Sequence, residues 1–109
     1  MKEIQTLLRQ LGIYGTYKGY HYLLTTIEMA LEDEKNLTLY SKMIFPAIAR
    51  KYQSAPSCVE RDISTVIDHC WNSSGREKLQ SIVPCPMEKK PTVGQFIHIL
   101  YYYIKNIEN

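Results

Sequence analysis

The 109 residues carry 13 lysines and arginines against 11 acids, a net charge of +2, with 45% apolar and 22% charged side chains. That length supports one core, not a sensor and a reader as separate units, and the composition is globular, which excludes a disordered tail. A protein that held nucleic acid by bulk charge would be more basic, so any such binding depends on where the cations sit. Three cysteines without a C-x-x-C give no disulfide framework and point to a reducing cytoplasm. The opening MKEIQTLLRQLG alternates charged and apolar positions, unlike a signal peptide, and no stretch nears the ~20 apolar residues of a membrane span. No membrane partner is expected.

In chain order, Ile4, Leu7, Leu8 and Leu11 predict a short first helix, ended by Gly12. Residues 13–19, with two glycines, read as a loop. Tyr20, Leu23, Leu24, Ile27 and Leu31 mark a second, longer helix closed by Glu32, Asp33 and Glu34. Acids at a carboxyl end oppose the helix dipole, so this run is expected in solvent, away from any DNA. A third helix follows from Ile44, Ile48, Ala49 and Tyr52 on one face, with Gln53 to Pro56 as a break. Pro56 keeps Ala55 out of the α region and prevents fusion with the next helix.

That next helix, Ser57 to Trp71, organises the chain. Val59, Ile63, Val66, Ile67 and Cys70 share one side, with Trp71 also expected in the core, while Ser57, Arg61, Ser64, Thr65 and Asp68 share the other. Ser57 and Glu60 have capping-box spacing. Helix, short turn and helix resemble a helix-turn-helix near residues 41–72, with Ala49 at the crossing and Gln53 where many such motifs have glycine. Two plain core helices are the alternative. Arg76 to Val83 forms a further short helix with Leu79, Ile82 and Val83 inward, and Pro84, Pro86 and Pro91 enforce a loop. Thr92 and Gln95 make a second capping box, ahead of a last helix with Val93, Phe96, Ile97, Leu100, Tyr101, Ile104 and Ile107 inward. No strand pattern competes, so the expectation is an all-α, compact six-helix domain over residues 1–109.

With these elements placed, the chain resembles the carboxyl-terminal effector domains of the stage-zero sporulation response regulator family. The resemblance rests on KGYHYLLTTIEMA at Lys18 to Ala30, F-P-x-I-A-x-K-Y at Phe45 to Tyr52, S-x-V-E-R-x-I at Ser57 to Ile63, Trp71, and K-P-T-x-x-Q-F-I at Lys90 to Ile97. It implies a winged-helix-like, six-helix effector domain that binds a short TGTCGAA-like promoter box, often as a tandem pair, and touches RNA polymerase. Glu60 and Arg61 match the family's E-R at the reading end. The family has arginine where this chain has Cys58 and Ser64, so the reading surface lacks two basic groups. The family's amino-terminal receiver has no room here, so the chain is expected to be a stand-alone relative or a fragment of a longer product.

The base-reading candidates are Ser57, Cys58, Glu60, Arg61, Ser64 and Thr65. Arg61 suits a bidentate pair with guanine O6 and N7, against the alternative of an ion pair with Glu60, Asp62 or Asp68. Asp68 would repel phosphate and is expected where the helix leaves the groove. Lys42, Arg50, Lys51, Arg76, Lys78, Lys89 and Lys90 are the phosphate candidates, some of them ordinary surface cations. Cys58, His69, Cys70, Cys85 and His98 fit no zinc spacing, so neither metal nor cofactor is expected. Cys58, near a helix amino end where thiolate is favoured, offers a route by which oxidation would impair DNA binding. Tyr102 with Gln95 and His98 forms either a partner patch or ordinary exposed surface.

No nucleophile with a paired base and no Gly-rich phosphate loop is present, so catalysis is not expected. Two readings stand. One is a cytoplasmic, nucleoid-associated transcription regulator with double-stranded DNA, RNA polymerase and a tandem homodimer copy as partners. The other is a helical module that binds polymerase or the full-length regulator without reading DNA. The absent arginines favour the second, and Glu60, Arg61 and the flanking lysines favour the first.

Overall fold

Lys2–Gln10 forms α1, with Ile4, Leu7 and Leu8 buried, in a computed structural model that describes residues 2–108. Gly12, at φ 80°, ends it: the Ile13 amide donates to the Leu8 carbonyl at 2.9 Å and the Gly12 amide to Arg9 at 3.0 Å. This is a Schellman closure, which needs the left-handed backbone that glycine adopts freely. Ile13, in the expected loop, is nonetheless fully buried.

Helix α2, Lys18–Glu32, corrects the predicted face. It buries Gly19, Tyr22, Leu23, Thr26, Ile27 and Ala30, leaving Tyr20, Leu24 and Leu31 only half-buried. The rotation places small residues where neighbouring helices come close. Thr26 tolerates the core because its hydroxyl donates to the Tyr22 carbonyl at 2.7 Å, which leaves no polar atom unpaired.

Beyond α2 the Asp33 backbone is extended, and its carboxylate accepts the Lys35 amide at 3.0 Å. That bond starts α3, Lys35–Thr38, a helix too short for periodicity to reveal. The described residues therefore form seven α-helices, not six. A π turn, Tyr40–Ile44, leads into α4, Phe45–Lys51, with the Phe45 amide reaching back to Tyr40. Pro46 has no amide to continue the α ladder there, so the wider coil meets it without losing a bond.

Helix α5, Pro56–Trp71, starts one residue before the expected Ser57. The Ser57–Glu60 capping box does not form, because Pro56 takes the first helical position and Ala55 becomes the extended N-cap. The Cys58 and Val59 amides both donate to the Ala55 carbonyl, at 2.9 and 3.1 Å. Helices α6, Gly75–Ser81, and α7, Val93–Glu108, complete the fold. The capping box ahead of α7 does form: the Gln95 amide donates to Thr92 Oγ1 at 3.2 Å, and the Thr92 amide to Gln95 Oε1 at 2.9 Å. No strand occurs among the described residues, so α6 and a proline-rich loop follow α5 where a wing would stand.

Helix α5 sits at the centre, in contact with α2, α4, α6 and α7. Val59, Ile63, Val66, Ile67 and Cys70 are all buried as the spacing predicts, but Trp71 is half-buried and Ile107 of α7 is 50% exposed. Tyr52, expected inward, is exposed and rests edge-on against Tyr22. Among the described residues no helix is long and apolar enough to cross a membrane.

Two stability changes of opposite sign follow. Ile63, fully buried on α5, should cost ~2–5 kcal/mol when replaced by alanine, read as a lower urea midpoint, because the surrounding helices cannot collapse onto the cavity. Gln53 closes α4 in a Schellman motif at φ 54°, with the Ser54 amide on the Ala49 carbonyl at 2.8 Å and its own amide on Arg50 at 3.4 Å. A side chain in that conformation is strained, so Gln53→Gly should raise stability by about 0.5–1 kcal/mol, and a fall in midpoint would contradict the strain.

Candidate nucleic-acid interface

The α4–α5 pair, joined through Tyr52 to Ala55, has the layout of a helix-turn-helix. Two close contacts set the attitude of α5, and a third joins α6 to the end of α1. Ala49, buried on α4, lets that helix approach. On α2, a Cβ added at Gly19 would stand 2.5 Å from the Asp62 carbonyl oxygen and 2.8 Å from Val66 Cγ1, so the two backbones meet at a distance that only glycine permits. At the far end, a Cβ on Gly75 would collide with the Leu11 backbone, which pins the start of α6 to the end of α1.

With one face of α5 fixed in the core, the other is presented whole. Ser57, Glu60, Arg61 and Thr65 are exposed, and Cys58 and Ser64 are partly exposed. Arg61 has 71% of its side chain in solvent, and its Nε lies 3.8 Å from Asp62 Oδ1, too long for a firm hydrogen bond. Of the three acids the sequence offered it, only Asp62 comes near, and a surface pair of this kind is worth ~0–1 kcal/mol. Its guanidinium can leave. Thr65 donates its hydroxyl to the Arg61 carbonyl at 3.0 Å, so its oxygen offers lone pairs but no free proton to a ligand.

The phosphate candidates divide into groups. Lys42, in the π turn, and Arg50, at the end of α4, are exposed and form no ion pair among the described residues. Lys51 is also exposed, yet it shares a depression with Glu28 and Glu32 of α2, and those carboxylates weaken its field. Lys90 is bound to Asp68. Its loop is delivered there by Gln80, whose Nε2 donates to the Cys85 carbonyl at 2.8 Å and whose Oε1 accepts the Met87 amide at 2.7 Å. Asp68, two turns beyond Arg61, is thus neutralised by a residue from the loop before α7. Lys89 beside it stays exposed.

Arg76 stacks on Trp71, its guanidinium carbon 3.8 Å from the ring centroid, at the carboxyl end of α5. That end is roughly 15 Å along the axis from Arg61, at 1.5 Å per residue. Lys78 lies elsewhere, half-buried in a groove among α1, α6 and α7 with its Nζ 5.7 Å from the Tyr103 ring. Arg50 and Lys51 thus lie at the end of α4, just before the turn into α5, whereas Arg76 and Lys78 lie on α6, beyond the other end of α5.

No cluster of three His, Cys, Asp or Glu suited to a metal ion occurs among the described residues. Burial pushes the Cys70 thiol up to about 11, and an inert core group results. Cys58 is partly exposed near the amino end of α5, and Cys85 lies on the proline-rich loop. On α7 the His98 and Tyr102 rings lie 6.3 Å apart, with Tyr102 exposed, while Gln95 is committed to its capping box.

Sequence spacing gave no reason to associate Lys18 with the motif. It is exposed at the start of α2, next to Gly19, and lines a depression with His21, Tyr52, Gln53 and Ser54. The sequence carried little signal for this, because Gly19 fell in the stretch read as a loop.

A helix whose buried side is anchored on neighbouring helices, and whose open side holds a loosely paired arginine near its amino end, has the geometry of a groove reader. The family model described as "Sporulation initiation factor Spo0A C terminal" matches residues 4–104. The chain therefore belongs to the family of Spo0A carboxyl-terminal domains, which are DNA-binding effector domains of sporulation response regulators.

Proposed function

We propose that residues 1–109 act as a single domain that places α5 in the major groove of double-stranded DNA and reads a short promoter box through Arg61. The observation that carries this is the 71% exposure of the Arg61 side chain on the open face of a helix whose other face is buried. Glu60 beside it is an acceptor suited to a cytosine amino group, and Ser57 and Thr65 are within the same two turns. Cys58 and Ser64 border the same face with a thiol and a hydroxyl, where the resemblance puts arginines. Lys42, Arg50 and Lys51 hold backbone phosphate on the side of α4, and Lys89 does so from the loop before α7. Arg76, Lys78 and Lys90 contribute less, because Trp71, Tyr103 and Asp68 already engage them.

On this reading the protein works in the cytoplasm, on the nucleoid. A second copy on an adjoining box and RNA polymerase are its protein partners, and the His98–Tyr102 surface is left for such contacts. The absent arginines favour a second reading, a module that binds polymerase or the full-length regulator without reading DNA. Enrichment from a random duplex pool at moderate salt separates the two.

The substitutions that test the proposal are Arg61→Ala and Arg50→Ala. On the enriched box Arg61→Ala should cost about 1–3 kcal/mol and relax preference at one base pair. Arg50→Ala should weaken enriched and scrambled duplexes alike and lower the salt slope by about one. Equal losses on both duplexes for Arg61→Ala would make Arg61 a phosphate ligand. No duplex binding by the unmutated chain would leave the interaction module.

A further inference from the structure

We infer that Lys18, at the start of α2, clamps a DNA backbone phosphate together with Ser54 of the α4–α5 turn, and so fixes the depth and register at which Arg61 enters the groove. The inference rests on the proposed docking of α5. It adds a contact from outside the helix-turn-helix.

Two independent observations place Lys18 there. Gly19, its neighbour, lies against the Asp62 carbonyl, whose oxygen would stand 2.5 Å from a Cβ added at that glycine, and Asp62 follows Arg61 directly. The start of α2 is thereby held at the reading turn of α5. Lys18 also lines a depression of about 210 Å³ with His21, Tyr52, Gln53 and Ser54, the last two belonging to the turn itself. Ser54 lies three residues before Ser57, so the depression begins within ~10 Å of the reading face. B-DNA's major groove is about 12 Å wide, so a helix inside it has a phosphate rail within that reach.

The chemistry of the depression suits an anion. Its polar lining consists of an ammonium, a hydroxyl, an amide, an imidazole and phenols, and no carboxylate. Lys51's depression, by contrast, is lined by Glu28 and Glu32. Lys18 forms no ion pair among the described residues, so no salt bridge has to break before it meets a phosphate. His21 is turned toward its own loop, with Nε2 2.8 Å from the Gly15 carbonyl, and is a wall of the site. Because α2 crosses α5 at a distance only glycine permits, the backbone that carries Lys18 is held at a fixed offset from the backbone that carries Arg61, and a phosphate bound by Lys18 sets where Arg61 falls on the bases.

The test compares Lys18→Ala and Lys18→Arg with the unmutated chain, on the enriched box and a scrambled duplex across a range of salt. Lys18→Ala should lower the salt slope by about one on both duplexes, and Lys18→Arg should restore it. Lys18 is exposed, so the urea midpoints should agree and loss of folding is excluded as the cause. A second readout scans the box with single methylphosphonates. One position should weaken the unmutated chain severalfold yet leave Lys18→Ala unaffected. An unchanged slope, or a scan with no such position while the unmutated chain still reads its box, overturns the clamp and spares the proposed function. Absence of any duplex binding overturns both.

Discussion

The crossing of α2 over α5 at Gly19 is the constraint on which the presentation of the open face of α5 depends. Glycine in a helix costs about 1 kcal/mol relative to alanine, and that cost falls here in the first turn of a 15-residue helix. In return the α2 backbone reaches the Asp62 carbonyl, and Val59, Ile63 and Val66 of α5 are sealed behind it. Gly75 repeats the device at the other end, where α6 starts against the backbone of Leu11. Helix α5 is thus held at its middle by a backbone contact with α2, and the segment that follows it is held by another between α6 and the end of α1; such contacts are harder to deform than contacts between side chains. The solvent face of α5 inherits that rigidity.

Rigidity matters because the chain has little charge to spend on a polyanion. With a net charge of +2, its field near DNA is a matter of sorting. Glu32, Asp33 and Glu34 are exposed around the α2–α3 junction, Asp68 is cancelled by Lys90, and Arg76 is folded onto Trp71. Among the exposed cations without a firm partner, Arg61 lies on the amino half of α5, Arg50 near the end of α4 and Lys18 beside Gly19, where α2 meets α5. Desolvating such groups against phosphate breaks no strong internal pair, so a nearly neutral domain can still release counterions locally.

The buried face of α5 was legible in the sequence because an apolar stripe at helical spacing needs no knowledge of the neighbours. Family membership was legible for a similar reason, through runs of local motif. The face of α2 was not legible, since Gly19, Thr26 and Ala30 are buried for their small size, which hydrophobic spacing does not register. Helix α3 escaped notice because its start is an aspartate side-chain bond within four residues. The Ser57–Glu60 box fitted the pattern and failed because Pro56 is the better first residue of a helix. In the site, the types and order of the candidate residues could be read, but their availability could not. Lys90, Lys78 and Arg76 look alike in sequence, and only the fold assigns them Asp68, Tyr103 and Trp71.

Cys58 and Ser64 bear on how much discrimination one such domain can supply. Where two further guanidiniums would each read a base or hold a phosphate, the open face of α5 has a thiol and a hydroxyl, and Arg61 is the one cation on that face of the helix. A good bidentate pair discriminates by about 1–3 kcal/mol, roughly 5- to 140-fold at 1.4 kcal/mol per decade. A genome presents on the order of a million or more competing sites, so one reader of this kind cannot by itself select a promoter. On the proposed reading, the shortfall has to be met by adding contacts, through a second copy on an adjoining box or through polymerase held at the same promoter. Either partner multiplies the discrimination of Arg61 by raising its effective concentration at the correct site. A reading face this sparse therefore fits a domain that recognises its target as part of an assembly.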